Sequence, residues 1–356
     1  MRVWIDIENP PQVQYLAPFK RAFESRGAEV VVTAVDHATT ASLLQQRGID
    51  AITVGTKSGS GRARKIVGTA ARGISLCHAL RRRRPDLLIA VSRSALLGAW
   101  MLRRPAFALC DYEYVNLSVG RLTSSYLIHP HVIDAEAFTS RGIRRDRLLP
   151  MPALKEALSF EGVDLESEAP AQLPLSVEPG VSIALVRPPG EQAHYFVPES
   201  MDLYRALLEH LSKRTDMAVA LAPRYPEQEF VLAEFNWAIP PTVLRQAYPF
   251  VSLLKAVDLV ISSGGTMARE AAFLGMNSYT ILRSEIGQVD RYLESLGRLT
   301  IINRASEFAL IKPPSGRLFT PLSPVDGGLV DELAGRILRA SSMVSGVEVD
   351  PFPLTR

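Results

Sequence analysis

The sequence contains few cysteines. Only Cys77 and Cys110 occur among its 356 residues, and no second group of metal-binding residues stands near either of them. Disulfide frameworks and structural zinc sites need grouped cysteine or histidine side chains, so neither is expected. Two isolated cysteines are typical of a protein in a reducing compartment, and we therefore predict a cytoplasmic location.

Long hydrophobic runs are also missing. No apolar stretch approaches the roughly 20 residues that cross a bilayer. The first residues, 1–7, form a strand pattern that meets acidic side chains at once, unlike a signal peptide. We expect a soluble protein that touches a membrane at most peripherally.

Charge of one sign does not dominate the chain. Forty Lys and Arg residues stand against 37 Asp and Glu, which leaves a net charge of +3. No basic face interleaved with aromatic residues is present, so nucleic acid is not expected as a partner. The length exceeds the size at which one hydrophobic core stays compact, so we expect two domains.

Short β-branched runs alternate with longer helical patterns, which is typical of βαβ units and a parallel sheet. In the first half we predict strands at 3–7, 29–33, 51–54, 86–91 and 106–109, and helices at 18–26, 40–48, 62–84 and 93–103. In the second half we predict strands at 181–186, 218–222, 258–262, 278–282 and 299–302, and helices at 198–213, 251–256, 267–274, 289–296 and 329–339.

An acidic, proline-rich stretch separates the two series. We predict a Rossmann-like domain over 1–155, a linker over 156–180, a second such domain over 181–325, and a helix and tail over 326–356 that return to the first domain. The fold class is therefore α/β, with two doubly wound domains facing across a cleft. In such sheets ligands bind at the carboxyl ends of the strands, so the cleft is the expected site.

A glycine-rich turn follows one strand of the second series. It consists of Ser263, Gly264, Gly265 and Thr266. Glycines let the backbone approach a ligand closely, and the start of the following helix offers free N–H groups and a positive dipole end. The pattern favours binding of a diphosphate.

One helical turn after the glycines stands Glu270. A carboxylate accepts hydrogen bonds from both hydroxyls of a ribose, which suits a nucleotide bound at the turn. An alternative interpretation is an ordinary helix start. In that case Ser263 or Thr266 would cap the helix and Glu270 would lie in solvent.

Two arginines, Arg187 and Arg224, each follow a predicted strand of the second domain at its carboxyl end. A guanidinium group there can hold a diphosphate through two parallel hydrogen bonds. The alternative is a loop arginine that pairs with a carboxylate.

Acidic side chains follow two strands of the first domain. Asp111 and Glu113 form an acid-x-acid pattern after one strand, and Glu8 follows the first strand. A carboxylate at such a strand end can deprotonate an acceptor hydroxyl, although acids in exposed loops are common. Asn9 and Gln12 lie in the same first loop and are predicted to face the acceptor.

The turn and its glutamate resemble the donor-nucleotide motif of the bacterial peptidoglycan N-acetylglucosaminyltransferase, including the spacing. The hydrolysing UDP-N-acetylglucosamine 2-epimerases have a similar turn with slightly different spacing. Nearly the whole chain resembles a little-characterised prokaryotic family of predicted GT-B proteins, a domain of unknown function. The matching segments are Trp4-Ile5-Asp6, Asn9-Pro10-Pro11, Lys155-Glu156, Val186-Arg187-Pro188, Pro223-Arg224, Gly264-Gly265-Thr266, Arg269-Glu270-Ala271 and Val289-Asp290-Arg291-Tyr292-Leu293.

The resemblance implies a GT-B architecture with the nucleotide in the second domain. The glycine-rich turn would then hold phosphate, and Glu270 the ribose. Gln288 and Asp290 would be the polar contacts of the sugar. The transferase has a histidine at about the place of Gln12. Because glutamine cannot act as a base, this departure puts a first-loop histidine mechanism in doubt.

The function that these features favour is a metal-independent glycosyltransferase. It would use a nucleotide-diphosphate sugar, with UDP favoured, and no cofactor, in surface-polysaccharide or glycolipid assembly. One alternative is a hydrolysing sugar-nucleotide 2-epimerase, for which Asp111, Glu113 and Glu8 could supply the acids. A second alternative is a non-catalytic nucleotide-sugar-binding protein, which Gln12 keeps open.

A basic amphipathic stretch runs from Arg62 to Arg84. It ends in four consecutive arginines and has apolar residues at helical spacing. One hypothesis is contact with an anionic membrane surface that carries a lipid-linked acceptor. The alternative is a helix that packs on the sheet and leaves its arginines in solvent.

Overall fold

The computed structural model describes residues 1–56, 61–190, 198–246, 248–281, 285–314 and 319–345. The chain forms two compact units. The first contains Met1–Val163 and a C-terminal segment that begins at Val325, and the second contains Asp164–Pro324. Each unit has its own parallel sheet, of seven strands in the first and six in the second.

The first unit alternates strands and helices as expected. Its strands are β1 (Arg2–Ile7), β2 (Glu29–Asp36), β3 (Ile52–Thr56), β4 (Leu87–Ala90), β5 (Ala106–Leu109), β6 (Tyr126–Pro130) and β7 (Leu148–Met151). Its helices are α1 (Pro10–Glu24), α2 (Ala38–Gln46), α3 (Arg62–Leu80), α4 (Arg93–Met101), α5 (Ser118–Leu122), α6 (Ala135–Thr139), α7 (Lys155–Phe160) and the C-terminal α12 (Gly328–Ser345).

The second unit repeats the alternation. Its strands are β8 (Ser182–Arg187), β9 (Met217–Leu221), β10 (Thr242–Val243), β11 (Leu259–Ser262), β12 (Asn277–Thr280) and β13 (Leu299–Ile301). Its helices are α8 (Glu199–Ser212), α9 (Phe250–Lys255), α10 (Gly265–Phe273) and α11 (Gln288–Ser295).

Both sheets reverse their strand order at one point. The orders are β3-β2-β1-β4-β5-β6-β7 and β10-β9-β8-β11-β12-β13, so the reversals lie between β1 and β4 and between β8 and β11. The central strands β4 and β11 are buried along their whole length, because helices cover both faces. The two reversal points are the positions at which open α/β sheets bind ligands.

The helix α12 belongs to the core of the first unit. Its residues Leu333 and Ile337 are buried in the same hydrophobic cluster as Phe19 of α1. Both carboxylate oxygens of Glu161 accept from the Val330 N–H at 2.9 Å, which satisfies the start of the helix. Burial of this carboxyl raises the pKa of Glu161.

Three parts of the first unit differ from the sequence prediction. Helix α1 begins at Pro10 instead of residue 18, because Asn9 and Gln12 form a capping box and Pro10 suits the first helical position. Strands β6 and β7 and the helices α5 and α6 were not predicted. Helix α7 covers the start of the linker predicted at 156–180, and all six of its residues are buried.

Some predicted positions lie outside the described residues. They are residue 282 at the end of a predicted strand and the tail beyond residue 345. Within the described ranges, none of the helices combines the length and apolarity that a membrane crossing requires.

Candidate functional site

The glycine-rich turn joins β11 to α10 at the reversal point of the second sheet. Ser262, the last residue of β11, lies beside Arg187, the last residue of β8. The Ser263 N–H donates to the Arg187 carbonyl at 3.1 Å. The turn therefore lies at the carboxyl end of the sheet, where the sequence predicts it.

The start of α10 is open. Gly264 occupies the N-cap position, so the expected alternative, a cap by Ser263 or Thr266, is wrong. The Ser262 hydroxyl closes the turn by accepting from the Gly264 N–H at 3.1 Å and donating to its carbonyl at 2.9 Å. The Ser263 hydroxyl is buried and has no hydrogen-bond partner within the described ranges.

An unsatisfied buried hydroxyl is costly. Leaving such a group without a partner destabilises a protein by about 1–3 kcal/mol. A ligand oxygen next to Ser263 would remove this cost, while the helix start offers N–H groups and a positive dipole end. The turn is thus suited to an anion.

Two guanidinium groups lie at the same edge of the sheet. Arg187 donates to the carbonyls of Ala222 and Pro223 at 2.9 and 3.1 Å. Arg224 donates to the Pro188 carbonyl at 3.1 Å, and its guanidinium lies against Gly264. The backbone bonds hold both side chains at the strand ends, where their charge favours an anionic ligand.

Glu270 lies one turn into α10. It is 6% exposed, so the alternative of a solvated helix residue is wrong for this side chain. Gly265 and Thr266 form the first turn of the same helix and are half-buried. The structure thus brings the predicted phosphate-binding residues and Glu270 onto one short helix.

Asp290 is paired with a side chain of the neighbouring helix α10. We expected it to contact the sugar, but its two carboxylate oxygens accept from Arg269 Nε and Nη2 at 2.8 and 2.6 Å. Both residues are at most 5% exposed. Asp290 therefore joins α11 to α10, while Gln288 begins α11 and is half-buried.

The equivalent point of the first sheet is closed. Helix α4 follows β4 there, and the Ser92 hydroxyl caps it by accepting from the Ala95 N–H at 3.3 Å. The same hydroxyl donates to Asp6 at 2.5 Å. Asp6 in turn accepts from Arg72 at 2.8 and 2.9 Å. The Ser92 side chain thus caps the start of α4, and the charge of Arg72 is neutralised by Asp6. The start of α10 has no side-chain cap among the described residues.

The ion pair with Asp6 also affects the pKa of Arg72. Burial alone would lower its pKa, but the charge and hydrogen bonds of Asp6 outweigh burial, and the pKa of Arg72 is raised. The guanidinium is therefore held as a cation whose charge Asp6 neutralises.

Gln12 has a structural task that the sequence did not reveal. Its side-chain oxygen accepts from the N–H groups of Glu8 and Asn9 at 2.6 and 3.2 Å. Gln12 is 5% exposed, so the prediction that it lines an acceptor loop needs correction. Pro10 and Pro11 lack N–H groups, which leaves the start of α1 poorly suited to an anion.

The acids after β5 differ in their surroundings. Asp111 Oδ2 lies 2.8 Å from Lys155 Nζ, and the Asp111 side chain is 30% exposed. Glu113 is buried. The Lys155 ammonium also lies 3.8 Å from the fully buried Glu156 and 5.2 Å from the centre of the Tyr15 ring. Asp111 is therefore the more accessible acid, with a cation beside it.

No role was predicted for Lys155 and Glu156, although the structure places the Lys155 ammonium next to both Asp111 and Glu156. Charged residues at a helix start normally lie in solvent, and only the family resemblance singled them out. The neighbouring Cys110 is not a nucleophile at neutral pH, because burial and the charge of Asp111 raise the pKa of its thiol to about 12. In the part of the chain that the structure describes, no group of His, Cys, Asp and Glu could hold a metal ion.

The outer face of α3 is apolar. Ile66, Val67 and Ile74 are 70%, 67% and 57% exposed. On the opposite face of α3 the Arg72 side chain is buried, and Gly73 packs tightly against α4. The same face is buried through Leu76 and Leu80, and the arginines 81–84 are exposed, as the alternative of a packed helix with solvated arginines expects.

Comparison with known proteins identifies the family. The model of the family described as "Protein of unknown function (DUF354)" matches residues 1–310. This is more than half of the chain, so the chain belongs to this family. An uncharacterised protein of Methanocaldococcus jannaschii is 26% identical over 320 residues, which cover 86% of this chain and 89% of that protein.

Solved structures share the fold. The UDP-GlcNAc 2-epimerase of M. jannaschii, in complex with UDP-GlcNAc and UDP, matches with a TM-score of 0.66 and 16% identity over 95% of this chain and 99% of its own. The glycosyltransferase VinC, in complex with dTDP, matches with a TM-score of 0.53 and 13% identity over 96% and 100%. The predicted family resemblance and the α/β GT-B fold class are confirmed.

Proposed function

We propose that this member of the DUF354 family is a metal-independent glycosyltransferase whose second unit binds a nucleotide-diphosphate sugar. The observation that carries the proposal is the start of α10. It has a glycine at its N-cap, a buried Ser263 hydroxyl without a described partner, and an arginine against the turn. The equivalent helix of the first unit, α4, has a serine cap, and the arginine beside its first turn, Arg72, is already paired with Asp6.

The diphosphate would bind at the turn. The N–H groups of Gly265 and Thr266 and the Ser263 hydroxyl would donate to its oxygens. Arg224 and Arg187 would supply positive charge at the strand ends, a task that metal ions perform in other enzymes. Because both arginines are held by backbone carbonyls, little reorganisation would be needed on binding.

The rest of the ligand would extend along the helices. Glu270 would accept from the ribose hydroxyls, and Gln288 at the start of α11 would contact the sugar. A complex with UDP-GlcNAc and UDP is known for the M. jannaschii epimerase, and one with dTDP for VinC. These relatives support a pyrimidine nucleotide diphosphate, and we favour UDP.

The first unit would bind the acceptor, a glycan or a lipid-linked glycan. Of the predicted acids Asp111, Glu113 and Glu8, we favour Asp111 as the proton acceptor. Its carboxylate is partly exposed, and the Lys155 ammonium lies 2.8 Å from it. Asp111 would take the proton of the acceptor hydroxyl while the oxygen bonds to the anomeric carbon. The nucleoside diphosphate would leave with the electrons of its broken bond.

A second candidate is a hydrolysing sugar-nucleotide 2-epimerase. The acids Asp111, Glu113 and Glu156 gather after β5 and β7 of the first unit, and proton removal and return at a sugar carbon require such groups. The epimerase fold match also has the higher TM-score.

A membrane contact would suit a lipid-linked acceptor. The exposed side chains of Ile66, Val67 and Ile74 would enter the lipid interface. No acidic residue lies between Asp50 and Asp86, and the arginines 81–84 are all exposed. Each basic residue near an anionic surface contributes about 1 kcal/mol. We therefore propose a cytoplasmic protein that binds peripherally to the inner membrane face. Its proposed process is the assembly of surface polysaccharides or glycolipids.

Calorimetric titration tests the donor site. UDP, GDP, CDP, dTDP and ADP are titrated into the protein in the presence of EDTA, and we expect UDP to bind with the highest affinity. Glu270→Ala should weaken UDP binding by about 1–3 kcal/mol, because charged hydrogen bonds to the ribose are lost. An absence of heat with all five nucleotides would refute the proposal.

Product analysis separates the candidate reactions. With UDP-GlcNAc and no acceptor, a hydrolysing 2-epimerase releases UDP and a free sugar that is inverted at carbon 2. A transferase needs an acceptor for rapid UDP release. Nucleotide binding without UDP release from UDP-GlcNAc, with or without an acceptor, would indicate the remaining hypothesis, a non-catalytic nucleotide-sugar-binding protein.

A further inference from the structure

We propose that the ion pair Arg269–Asp290 positions the sugar-binding part of the site, and thereby favours a nucleotide sugar over the free nucleotide. The inference rests on the proposed nucleotide-sugar site. It assigns Asp290 a positioning role in place of the direct sugar contact that the sequence predicted.

The pair connects two helices. Arg269 is the middle residue of α10, and Asp290 lies in the first turn of α11. The guanidinium donates two parallel hydrogen bonds, at 2.8 Å from Nε and 2.6 Å from Nη2. Such a planar fork sets direction as well as distance. A sideways shift or rotation of α11 against α10 would break at least one of the two bonds.

The pair also lies close to the turn that would carry the ligand. A Cβ on Gly265 would lie 3.6 Å from both Cζ and Nε of Arg269, so the guanidinium is next to the first turn of α10. Gln288 precedes Asp290 by two residues and begins α11. A physical connection thus runs from the phosphate-binding turn through Arg269 and Asp290, and along the first turn of α11, to Gln288.

Stability alone does not explain a buried pair of charges. Removing two charges from water costs about as much as their attraction returns, and apolar pairs of similar volume often serve equally well. Both residues here are at most 5% exposed. Orientation of α11 against α10 is therefore the more fitting role, since an apolar contact would let α11 slide.

Positioning and direct contact make different predictions. If Asp290 itself contacted the sugar, substitutions of Arg269 would matter little for sugar binding. If the pair positions Gln288, Arg269→Lys should act in the same direction as Asp290→Asn. Lysine keeps the charge but loses the second parallel hydrogen bond.

The experiment compares two probes, UDP and UDP-GlcNAc, by calorimetry on the full chain. The variants are Arg269→Lys, Asp290→Asn and Asp290→Glu, and thermal melting confirms that each is folded. Matched controls are Arg214→Lys and Asp216→Asn. That pair has the same two residue types and parallel bonds of 2.6 and 2.7 Å, but it lies at the amino end of β9, away from the turn.

We expect Arg269→Lys and Asp290→Asn each to weaken UDP-GlcNAc binding at least about tenfold and UDP binding less than about threefold, a tenfold change being about 1.4 kcal/mol. Asp290→Glu should restore part of the affinity for the sugar nucleotide, and the control variants should change neither affinity.

Other outcomes overturn the inference. Equal weakening of both ligands would show general support of the site, and unchanged affinities in folded variants would show no role. If Asp290→Asn weakened UDP-GlcNAc binding and Arg269→Lys did not, the result would support a direct contact between Asp290 and the sugar instead. Failure of the unsubstituted protein to bind UDP would refute the proposed function, and the inference with it, whereas all results above leave the donor site standing.

Discussion

The guanidinium of Arg224 occupies the space that a side chain on Gly264 would need. A Cβ there would lie far inside the 3.0 Å that real contacts keep from Arg224 Nη2. Gly264 has a φ of −139°, an extended conformation open to every residue, so backbone strain does not require the glycine. A side chain at this position would instead have to displace the guanidinium of Arg224.

Substituting Gly264 should therefore act through Arg224. We expect Gly264→Ala to displace the guanidinium and to weaken UDP binding about tenfold or more, because a charge-assisted hydrogen bond contributes about 1.5–3 kcal/mol. Calorimetry measures the change. In an Arg224→Ala background the same substitution should cost little further affinity, and an equal loss in both backgrounds would contradict this coupling.

The neighbouring serines should respond in opposite ways. Ser263→Ala removes an unsatisfied buried hydroxyl, so the ligand-free melting temperature should stay constant or rise, while UDP affinity should fall by about 1 kcal/mol. Ser262→Ala removes both bonds to Gly264 and should lower the unfolding free energy by about 1 kcal/mol. Loss of stability in Ser263→Ala without loss of affinity would argue against a ligand contact.

Gln12 should matter for stability. Gln12→Ala leaves the N–H groups of Glu8 and Asn9 without their acceptor, and we expect a loss of about 1 kcal/mol in urea unfolding, typical of a lost helix cap. Gln14→Ala, on the same helix and half-buried, is the control and should change stability much less. If the two variants lose equal stability, the capping role is wrong.

The outer face of α3 should bind anionic lipid. We expect co-sedimentation with phosphatidylserine-containing vesicles and none with pure phosphatidylcholine. The triple variant Ile66→Ser, Val67→Ser and Ile74→Ser should lose the binding. Met343→Ser serves as the control, because Met343 is 83% exposed on α12.

Two results would count against the membrane contact. One is equal sedimentation of the triple variant. The other is a dimer that the triple variant dissociates in sedimentation velocity, because this would assign the face to a second copy of the chain.

Acid should destabilise the first unit through His129. Burial lowers the pKa of this imidazole below its ordinary value of 6.5, so the unfolded chain binds the proton more readily than the folded one. The unfolding free energy should therefore fall as the pH drops from 6.5 towards the folded pKa.

Urea unfolding at about pH 7.5 and about pH 5.5 measures this loss. It should be smaller in His129→Asn. Part of it should persist, because burial also lowers the pKa of His210 in the second unit. An unchanged pH dependence in the variant would contradict the assignment.

Part of the first unit could not be predicted from local sequence patterns. Between residues 110 and 160 the strands β6 and β7 and three short helices went unpredicted. Charged side chains normally lie in solvent, yet Lys155 and Glu156 are 5% and 0% exposed. Their burial depends on α1 and β5, which bring Tyr15 and Asp111 to them. Such neighbours lie far away in sequence, so no local pattern records them.

Local patterns decided the fold class and the glycine-rich turn. Alternating periodicity follows from covering both faces of a sheet, and the Ser263–Glu270 spacing is a property of one turn and one helix, so both can be read along the chain. The tertiary structure alone decided which groups are engaged elsewhere. Asp290 binds Arg269 across 21 positions and Asp6 binds Arg72 across 66, and the buried hydroxyl of Ser263 has no partner within the described ranges. Burial and long-range hydrogen bonds arise only when separate elements pack, and they determine which polar side chains are left to bind.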